Sequence, residues 1–158
     1  MRALVLALLL AAAPALAQTN LNLGGLAGET NAPVEITADT LAVDQAAGTA
    51  EFSGNVVIGQ GALRLAADRV SLSYDEASGE VTRMQATGAV TFVTAEEAAE
   101  AQAADYDVTT GTLVLTGDVL LTQGPTAISA ERMVVDLDSG TARMEGRVRT
   151  VFQPGGGN

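Results

Sequence analysis

Apolar residues fall on every second position over most of the chain. Val56 and Ile58 form one such pair, and Leu113 and Leu115 form another. A period of two is typical of β-strands with one buried face. Turn-forming dipeptides separate the alternating stretches, and they are Ala47-Gly48, Ser78-Gly79, Thr110-Gly111 and Ser139-Gly140. Because such pairs tolerate positive φ angles, the pattern predicts strands joined as hairpins in a largely antiparallel sheet.

The alternation is organised into a module that recurs four times. Each copy contains an Ala followed by an acid, an apolar alternation, a turn at Gly, a second alternation, and Gly-x-Val. We assign the copies to Ile36–Ile58, Leu65–Phe92, Ala104–Leu121 and Ile128–Val148. A repeat of this length predicts a stacked array. A second glycine series falls inside the strand pattern and predicts bulges or bends at Gly54, Gly88, Gly117 and Gly146.

Two irregularities accompany the third copy. Residues Thr94–Ala104 have a helix-favouring composition, so we expect a short helical turn or an exposed loop there. Tyr106 and Val108 are also out of phase with the corresponding apolar positions of the other copies. A bulge near Ala104 would restore the register; otherwise the facing assignment of one strand is wrong by one residue.

The two ends of the chain differ in composition from its middle. Residues 1–17 resemble a secretory signal, with Arg2, an apolar run and the small-x-small cleavage site Ala15-Leu16-Ala17. The apolar run is shorter than the roughly 20 residues of a spanning helix, which disfavours an uncleaved anchor. We therefore expect a flexible leader at 18–32 after cleavage, one β domain at 33–152, and a flexible Pro/Gly tail at 153–158.

Composition narrows the possible functions. The chain has 158 residues, a formal net charge of −11, no Cys and no His, and its eight cationic side chains are all Arg. The absence of His and Lys excludes Ser-His-acid and Ser-Lys nucleophile systems. The acidic balance disfavours nucleic acid as a partner. Aromatic residues are few, so the interior must be aliphatic, which suits aliphatic ligands and suits an ordinary packed core equally well.

An acidic residue follows Ala in each copy, and these residues are Asp39, Asp68, Asp105 and Glu131. Carboxylates can act as acids, bases or metal ligands, but a catalytic pair needs two carboxylates in different environments. Here the same role recurs once per repeat, which is typical of a structural turn or edge position. We therefore predict no catalytic residue, no metal site and no cofactor, and we do not expect an enzyme.

The repeated module, the Gly-x-Val pattern and above all the segment Tyr106–Val119 resemble the OstA-like family, over about residues 33–152. This resemblance implies an all-β fold, an open antiparallel β-jellyroll built from strand hairpins. It implies an inner face that shields the acyl chains of lipopolysaccharide during transport through the periplasm, from the inner to the outer membrane.

The resemblance also implies partners. Strand edges would join end to end, to further copies, to an LptC-like inner-membrane protein and to an LptD-like outer-membrane protein. The edge residues would be Val34, Glu35 and Ile36 on one side and Arg147, Val148 and Arg149 on the other. Unpaired strand edges generally invite pairing with another chain.

Alternation assigns the lining of this apolar groove. The predicted inward positions are Phe52, Val56, Ile58, Leu63, Leu65, Leu72, Val90, Phe92, Leu113, Leu115, Val119, Leu121, Ile128, Val135, Met144 and Val148. The acidic body would repel anionic headgroups, which favours headgroups that stay in solvent or are bridged by divalent ions.

Three alternatives stay open at this point. A membrane-anchored LptC-type sibling of the same fold would keep its N-terminal helix, whereas Ala15-Leu16-Ala17 favours cleavage. A ligand-free structural β-solenoid would fill its interior with its own side chains. A hydrolase is disfavoured because His, Cys and an asymmetric carboxylate pair are all missing.

Overall fold

Hairpins between neighbouring strands build the described part of the chain. The computed structural model describes residues 20–22 and 32–153. These residues form eleven strands, namely β1 (Asn20–Asn22), β2 (Val34–Thr37), β3 (Thr40–Asp44), β4 (Thr49–Gln60), β5 (Leu63–Tyr74), β6 (Val81–Val93), β7 (Glu97–Asp107), β8 (Thr112–Gln123), β9 (Thr126–Asp136), β10 (Thr141–Glu145) and β11 (Arg149–Phe152). The predicted signal segment, most of the leader and residues 154–158 lie outside the described residues.

All the strands belong to one antiparallel sheet. Its order is β1-β10-β9-β8-β7-β6-β5-β4-β2, with β3 also paired to β4 and β11 also paired to β9. The long strands β4 to β9 therefore follow one another in space as they do along the chain. At one end β2 and β3 cover successive parts of β4, and at the other β11 and β10 cover successive parts of β9. The predicted open, antiparallel, jellyroll-like array of hairpins is confirmed.

A bulge interrupts every second long strand near its middle. The register shifts between Ser53 and Val56 in β4, between Thr87 and Val90 in β6, and between Thr116 and Val119 in β8. At each shift a glycine has a φ of 80°, 82° or 83°, and the next residue has a φ of 46°, 45° or 47°; the pairs are Gly54-Asn55, Gly88-Ala89 and Gly117-Asp118. Gly146-Arg147, with φ of 79° and 44°, separates β10 from β11. The predicted irregularities at all four glycines are confirmed.

The prediction for residues Thr94–Ala104 is wrong. Most of this segment lies in strand β7, which pairs with β6 and β8 along its length. Ala99, Ala101 and Ala104 are buried there, whereas Glu100 and Gln102 are exposed. The period-two pattern is therefore present, with a shift of one residue between Ala101 and Ala104 opposite the neighbouring bulges, but it is carried by Ala. Since Ala favours helices and is only weakly hydrophobic, its tertiary partners override its local preference.

The third copy of the repeat begins at Ala99, not at Ala104. Ala101 pairs with Val90 as Ala67 pairs with Val56, and Gln102 then occupies the position that Asp68 has in the second copy. With this register Tyr106 aligns with Leu72, so the phase difference disappears. The extra residues of the neighbouring bulges lie on β6 and β8, so the bulge proposed near Ala104 on β7 is not needed.

Apolar side chains of successive strands form rows that cross the sheet, and together they make up what we call the inner face. One row contains Leu41, Phe52, Val70, Ala86, Ala104, Leu115, Met133 and Met144. A second contains Val43, Ala50, Leu72, Met84, Tyr106, Leu113, Val135 and Ala142, and a third contains Ile36, Ile58, Leu65, Phe92, Ala99, Leu121 and Ile128. Nearly all of them pack into one hydrophobic cluster.

Candidate functional site

The inner face is the candidate site because it is continuous from β4 to β9 and almost entirely aliphatic. Val70 and Val135 are 0% exposed, and Leu115 and Met133 are 2% and 1% exposed. These side chains pack against one another. Without a ligand, the interior is thus filled by the chain's own apolar groups.

The Gly-x-Val and Ala-acid motifs meet across each bulge. The valine two positions after the bulge glycine pairs with the alanine of the neighbouring strand; the pairs are Val56 with Ala67, Val90 with Ala101, and Val119 with Ala130. All six residues are buried, and each valine is 1% exposed. A large residue opposite a small one fills the space where the strands bend. The two halves of the repeated module therefore form one packing unit.

The residue after each of these alanines lies against a bulge glycine. A Cβ added to Gly88 would lie 2.7 Å from Cβ of Asp68, and one added to Gly54 would lie 2.9 Å from Cβ of Asp39. Glu131 makes the same approach at Gly146, at 2.8 Å. The residue after Ala therefore packs closely against a strand bend in these copies. At Gly117 the approaching side chain is Gln102, at 2.8 Å, so the assignment of Asp105 to this series is wrong.

Two side-chain hydrogen bonds and one ion pair reinforce three of the four bulges. Asn55 Nδ2 donates to Asp39 Oδ2 at 2.9 Å, and Arg147 Nε lies 2.8 Å from Glu131 Oε1. At Gly117 the donor and the acceptor change places. The residue after Ala is Gln102 there, and its Nε2 donates to Asp118 Oδ2, on the bulged strand, at 2.7 Å. The carboxylates of Asp39, Asp118 and Glu131 thus each have a partner across the bend, which is a structural role.

The opposite surface of the same strands is more polar, although Val57, Val93 and Leu120 are exposed on it, and we call it the outer face. It contains a groove of about 660 Å³ lined by residues such as Arg69, Arg83, Asp105 and Arg132. Arg83 donates from Nε and Nη2 to the two oxygens of Asp105, at 2.8 and 2.6 Å. These hydrogen bonds lower the pKa of Asp105. The outer face is therefore a hydrated, ion-paired surface that contrasts with the inner face.

Glu97 is the exception on the inner face. Its side chain is 4% exposed, and Gln123 Nε2 donates to its Oε1 at 2.8 Å. Its Oε2 is buried without a hydrogen-bond partner among the described residues. Burial raises the pKa of this carboxyl group, because an ionised group loses its hydration there.

The described residues contain no group of three or more His, Cys, Asp or Glu side chains that could hold a metal ion. No helix in 20–22 or 32–153 is long and apolar enough to cross a membrane.

Comparisons with known proteins give the family. A family model described as LptA/(LptD N-terminal domain) LPS transport protein matches residues 35–141. The chain belongs to this family. An uncharacterized protein of Rhizobium meliloti (strain 1021) is 29% identical over 157 residues, which cover 92% of this chain and 84% of the relative.

A solved structure has the same fold as this member of the LptA/LptD N-terminal domain family. It is the crystal structure of LptH, described as the LptA homologous periplasmic component of the lipopolysaccharide transport device of Pseudomonas aeruginosa. The TM-score is 0.69 at 22% sequence identity, over 78% of this chain and 97% of LptH. The predicted resemblance and the predicted jellyroll-like fold are confirmed, and the chain is a lipopolysaccharide transport component of the LptA type.

Fifteen of the sixteen predicted lining residues belong to the hydrophobic cluster that the inner-face rows form in this LptA-type sheet, or pack against it. Twelve of them are buried, and Phe52, Leu63 and Met144 are partly buried against the same cluster. Val148 is the exception at 49% exposed, because it lies between β10 and β11, where the described sheet ends. Whether any of these residues contacts lipid remains a prediction.

Sequence reasoning missed part of the inner face. Val70 and Met133 are among the least exposed side chains, and they lie two positions before the predicted Leu72 and Val135. Continuing the same alternation by one step would have included them. The buried alanines, such as Ala86 and Ala101, carry too weak a hydrophobic signal to be selected from sequence.

The predicted partner edges lie at opposite ends of the sheet. Val34, Glu35 and Ile36 belong to β2, which pairs only with β4 among the described residues. Arg149 begins β11, and Arg147 and Val148 precede it. The three residues Asn20–Asn22, where composition predicts no strand, form β1 on the edge of β10.

Proposed function

We propose that this chain is a periplasmic bridge that binds the acyl chains of lipopolysaccharide on its inner face and carries lipopolysaccharide from the inner to the outer membrane. The observation that carries the proposal is the continuity of the apolar rows. All three rows cross the long strands β4 to β9 without a break, and two of them run from β3 to β10.

Large apolar side chains are exposed near both ends of the sheet. Leu41 and Val43, on β3, are 54% and 63% exposed. At the other end Val148 and Phe152 are 49% and 71% exposed. Because large exposed apolar groups on a strand edge favour association, both ends suit a partner with the same type of interior.

The exposed apolar ends and the family support the partners that the resemblance implies. We assign the β2/β3 end to an LptC-like inner-membrane protein and the β10/β11 end to an LptD-like outer-membrane protein. Further copies of the chain would join end to end between them by strand addition. Each junction would extend the apolar rows from one sheet to the next.

Lipid transport through an aqueous compartment needs continuous cover. Each methylene group exposed to water costs about 0.8 kcal/mol, so even one acyl chain strongly prefers an apolar environment. The inner face provides this environment, provided that its packed side chains separate to admit the chains. The net negative charge of the chain disfavours anionic headgroups, which would stay in solvent or be bridged by divalent ions.

The predicted signal at residues 1–17 supports export, as does the periplasmic location stated for LptH. We therefore place the working protein in the periplasm, with residues 1–17 removed.

Photocrosslinking in cells tests the carrier function. A photoreactive amino acid is placed at Phe92, which is buried on the inner face, and at the adjacent Thr91, which has the opposite orientation. A second pair, Leu115 and Val114, repeats the comparison on another strand. We expect lipopolysaccharide adducts at Phe92 and Leu115 and none at the two controls.

A ligand-free structural array is the second candidate function, and the tight packing around Val70 and Val135 favours it. If neither inner-face position forms a lipid adduct while the protein is folded and abundant, the interior is a closed core. Equal adduct yields at inner and outer positions would also count against a carrier that uses its inner face.

A further inference from the structure

Strand β1 covers an edge that the repeat leaves open. Asn20, Leu21 and Asn22 pair antiparallel with Arg143, Ala142 and Thr141 of β10. The other edge of β10 is already paired with β9. The N-terminal end of the described chain therefore caps the C-terminal end of its own sheet.

The position of β1 corresponds to that of β3 in the repeat. At the start of the array, Val43 pairs with Ala50 and Asp44 pairs with Thr49. Ala142 lies in the same inner-face row as Ala50, and Thr141 lies in the same row as Thr49. Leu21 therefore pairs with the last member of this row, Ala142, as Val43 pairs with Ala50 at its start. The three residues of β1 stand where the β3 strand of a following copy would stand.

Strand β3 has one unpaired edge among the described strands. It pairs with β4 on one side, and no described strand pairs with its other edge. Seated on β10 of another copy, it would place Val43 beside Ala142 and Leu41 beside Met144, and both rows would continue. Burial of these two exposed side chains would favour that contact. One strand edge accepts one neighbour, so β1 and an incoming β3 exclude each other.

Chain length limits how strongly β1 can hold its place. Asn22 and Val34 are 12 residues apart, and 12 residues span at most about 43 Å. The two strands they belong to, β1 and β2, are the end strands of the sheet and lie eight strand spacings apart along it, or about 38 Å. Because the connection is barely long enough to join the two strands, the effective concentration of β1 at the β10 edge is low. In addition, β1 is only three residues long. Both features make β1 a displaceable cap.

We propose that Asn20–Asn22 form an intramolecular cap that occupies the β10 edge and must leave it before the β3 edge of a second copy can dock. The proposal rests on the end-to-end joining included in the proposed function. It adds a competition that keeps single copies from associating through this edge until the cap is displaced.

Proline variants test the cap in protein purified from the periplasm. Alternate N–H groups of a strand point to the same neighbour, so Leu21→Pro and the double change Asn20→Pro with Asn22→Pro remove different donors. One of the two variants loses its hydrogen bonds to β10, and the other is its matched control. In dilute protein without lipid, we expect the cap-breaking variant to increase hydrogen exchange at the edge of Thr141–Arg143 facing β1.

The same variant should associate more tightly. If the cap is closed in about nine molecules of ten, removing it raises the apparent end-to-end association constant about tenfold, as measured by analytical ultracentrifugation. Val43→Glu, at a residue 63% exposed on β3, should abolish this gain without unfolding the monomer.

Two results would overturn the proposal: exchange at β10 that neither proline change alters, or faster exchange with no gain in association. An association gain without lipid supports the cap even if Phe92 forms no lipid adduct, so failure of the carrier function can be told apart from failure of the cap.

Discussion

Leu41 and Leu115 lie in the same inner-face row and have the same side chain, yet Leu41 is 54% exposed and Leu115 is 2% exposed. Leu115 has long strands on both sides, whereas Leu41 lies on β3 at the end of the sheet. The difference shows that burial in this protein depends on a residue's place in the stack rather than on its type. The ends of the array therefore carry interior residues that lack neighbours.

The largest effect should come from truncating this pair. Leu115→Ala should lower the free energy of unfolding by about 2 to 5 kcal/mol, because it leaves a cavity among tightly packed neighbours. Leu41→Ala removes the same atoms from a half-exposed site, and we expect a loss of at most about 1 kcal/mol. Urea denaturation of monomeric protein measures both. Equal losses would mean that Leu41 is as well packed as the interior.

A second comparison concerns two glycines with similar backbone angles. Gly88 has a φ of 82° and faces Asp68, whereas Gly79 has a φ of 71° with nothing within 4 Å of an added Cβ. Gly79→Ala should cost about 1 to 2 kcal/mol for the left-handed conformation alone. Gly88→Ala should cost more, because its Cβ also collides with the neighbouring strand.

Thermal unfolding of the two glycine variants separates these contributions. A Gly88→Ala protein no less stable than Gly79→Ala would show that the strands at the bulge move apart easily, and the bulge would then not be a rigid packing unit.

The buried carboxyl group of Glu97 should make the stability of the fold depend on pH. Because burial raises its pKa above the ordinary 4.5, the folded state holds the proton more tightly than the unfolded state does. Glu97 therefore costs no ionisation energy at low pH, and it destabilises the fold as pH rises through the folded pKa. Glu97→Gln should raise the melting temperature at pH 7, and its advantage should vanish near pH 4. A pH-independent difference would contradict a buried, ionising carboxyl.

The smallest effect concerns ion pairs on the outer face. Arg83 and Asp105 form a two-bond pair in the middle of the sheet, with side chains 52% and 31% exposed. Arg147 and Glu131, at the C-terminal end, are 90% and 57% exposed. Double-mutant cycles at low salt should give a coupling energy for the first pair and none for the second. Coupling of the same size in both pairs would show that position in the stack does not matter for charges.

Much of the architecture could be predicted from the pattern of the sequence. The hairpins, the antiparallel order and the bulges at Gly54, Gly88, Gly117 and Gly146 follow from alternation and from glycine positions. The failure was local: an alanine-rich strand looked like a helix or loop, and Gln102 in place of an acid hid the start of the third copy. Weakly hydrophobic residues give a weak periodic signal, and only their neighbours in the sheet bury them.

The sequence by itself determined the repeat, the aliphatic inner rows and the lack of His and Cys, because these depend on residue type and spacing along the chain. Only the tertiary structure decided that the recurring acids pack against bulge glycines and that Val148 is exposed at the end of the sheet. Likewise, only the structure brings Asn20–Asn22 to β10, more than 100 positions away. Such contacts depend on which strand ends the stack, and local periodicity carries no information about that.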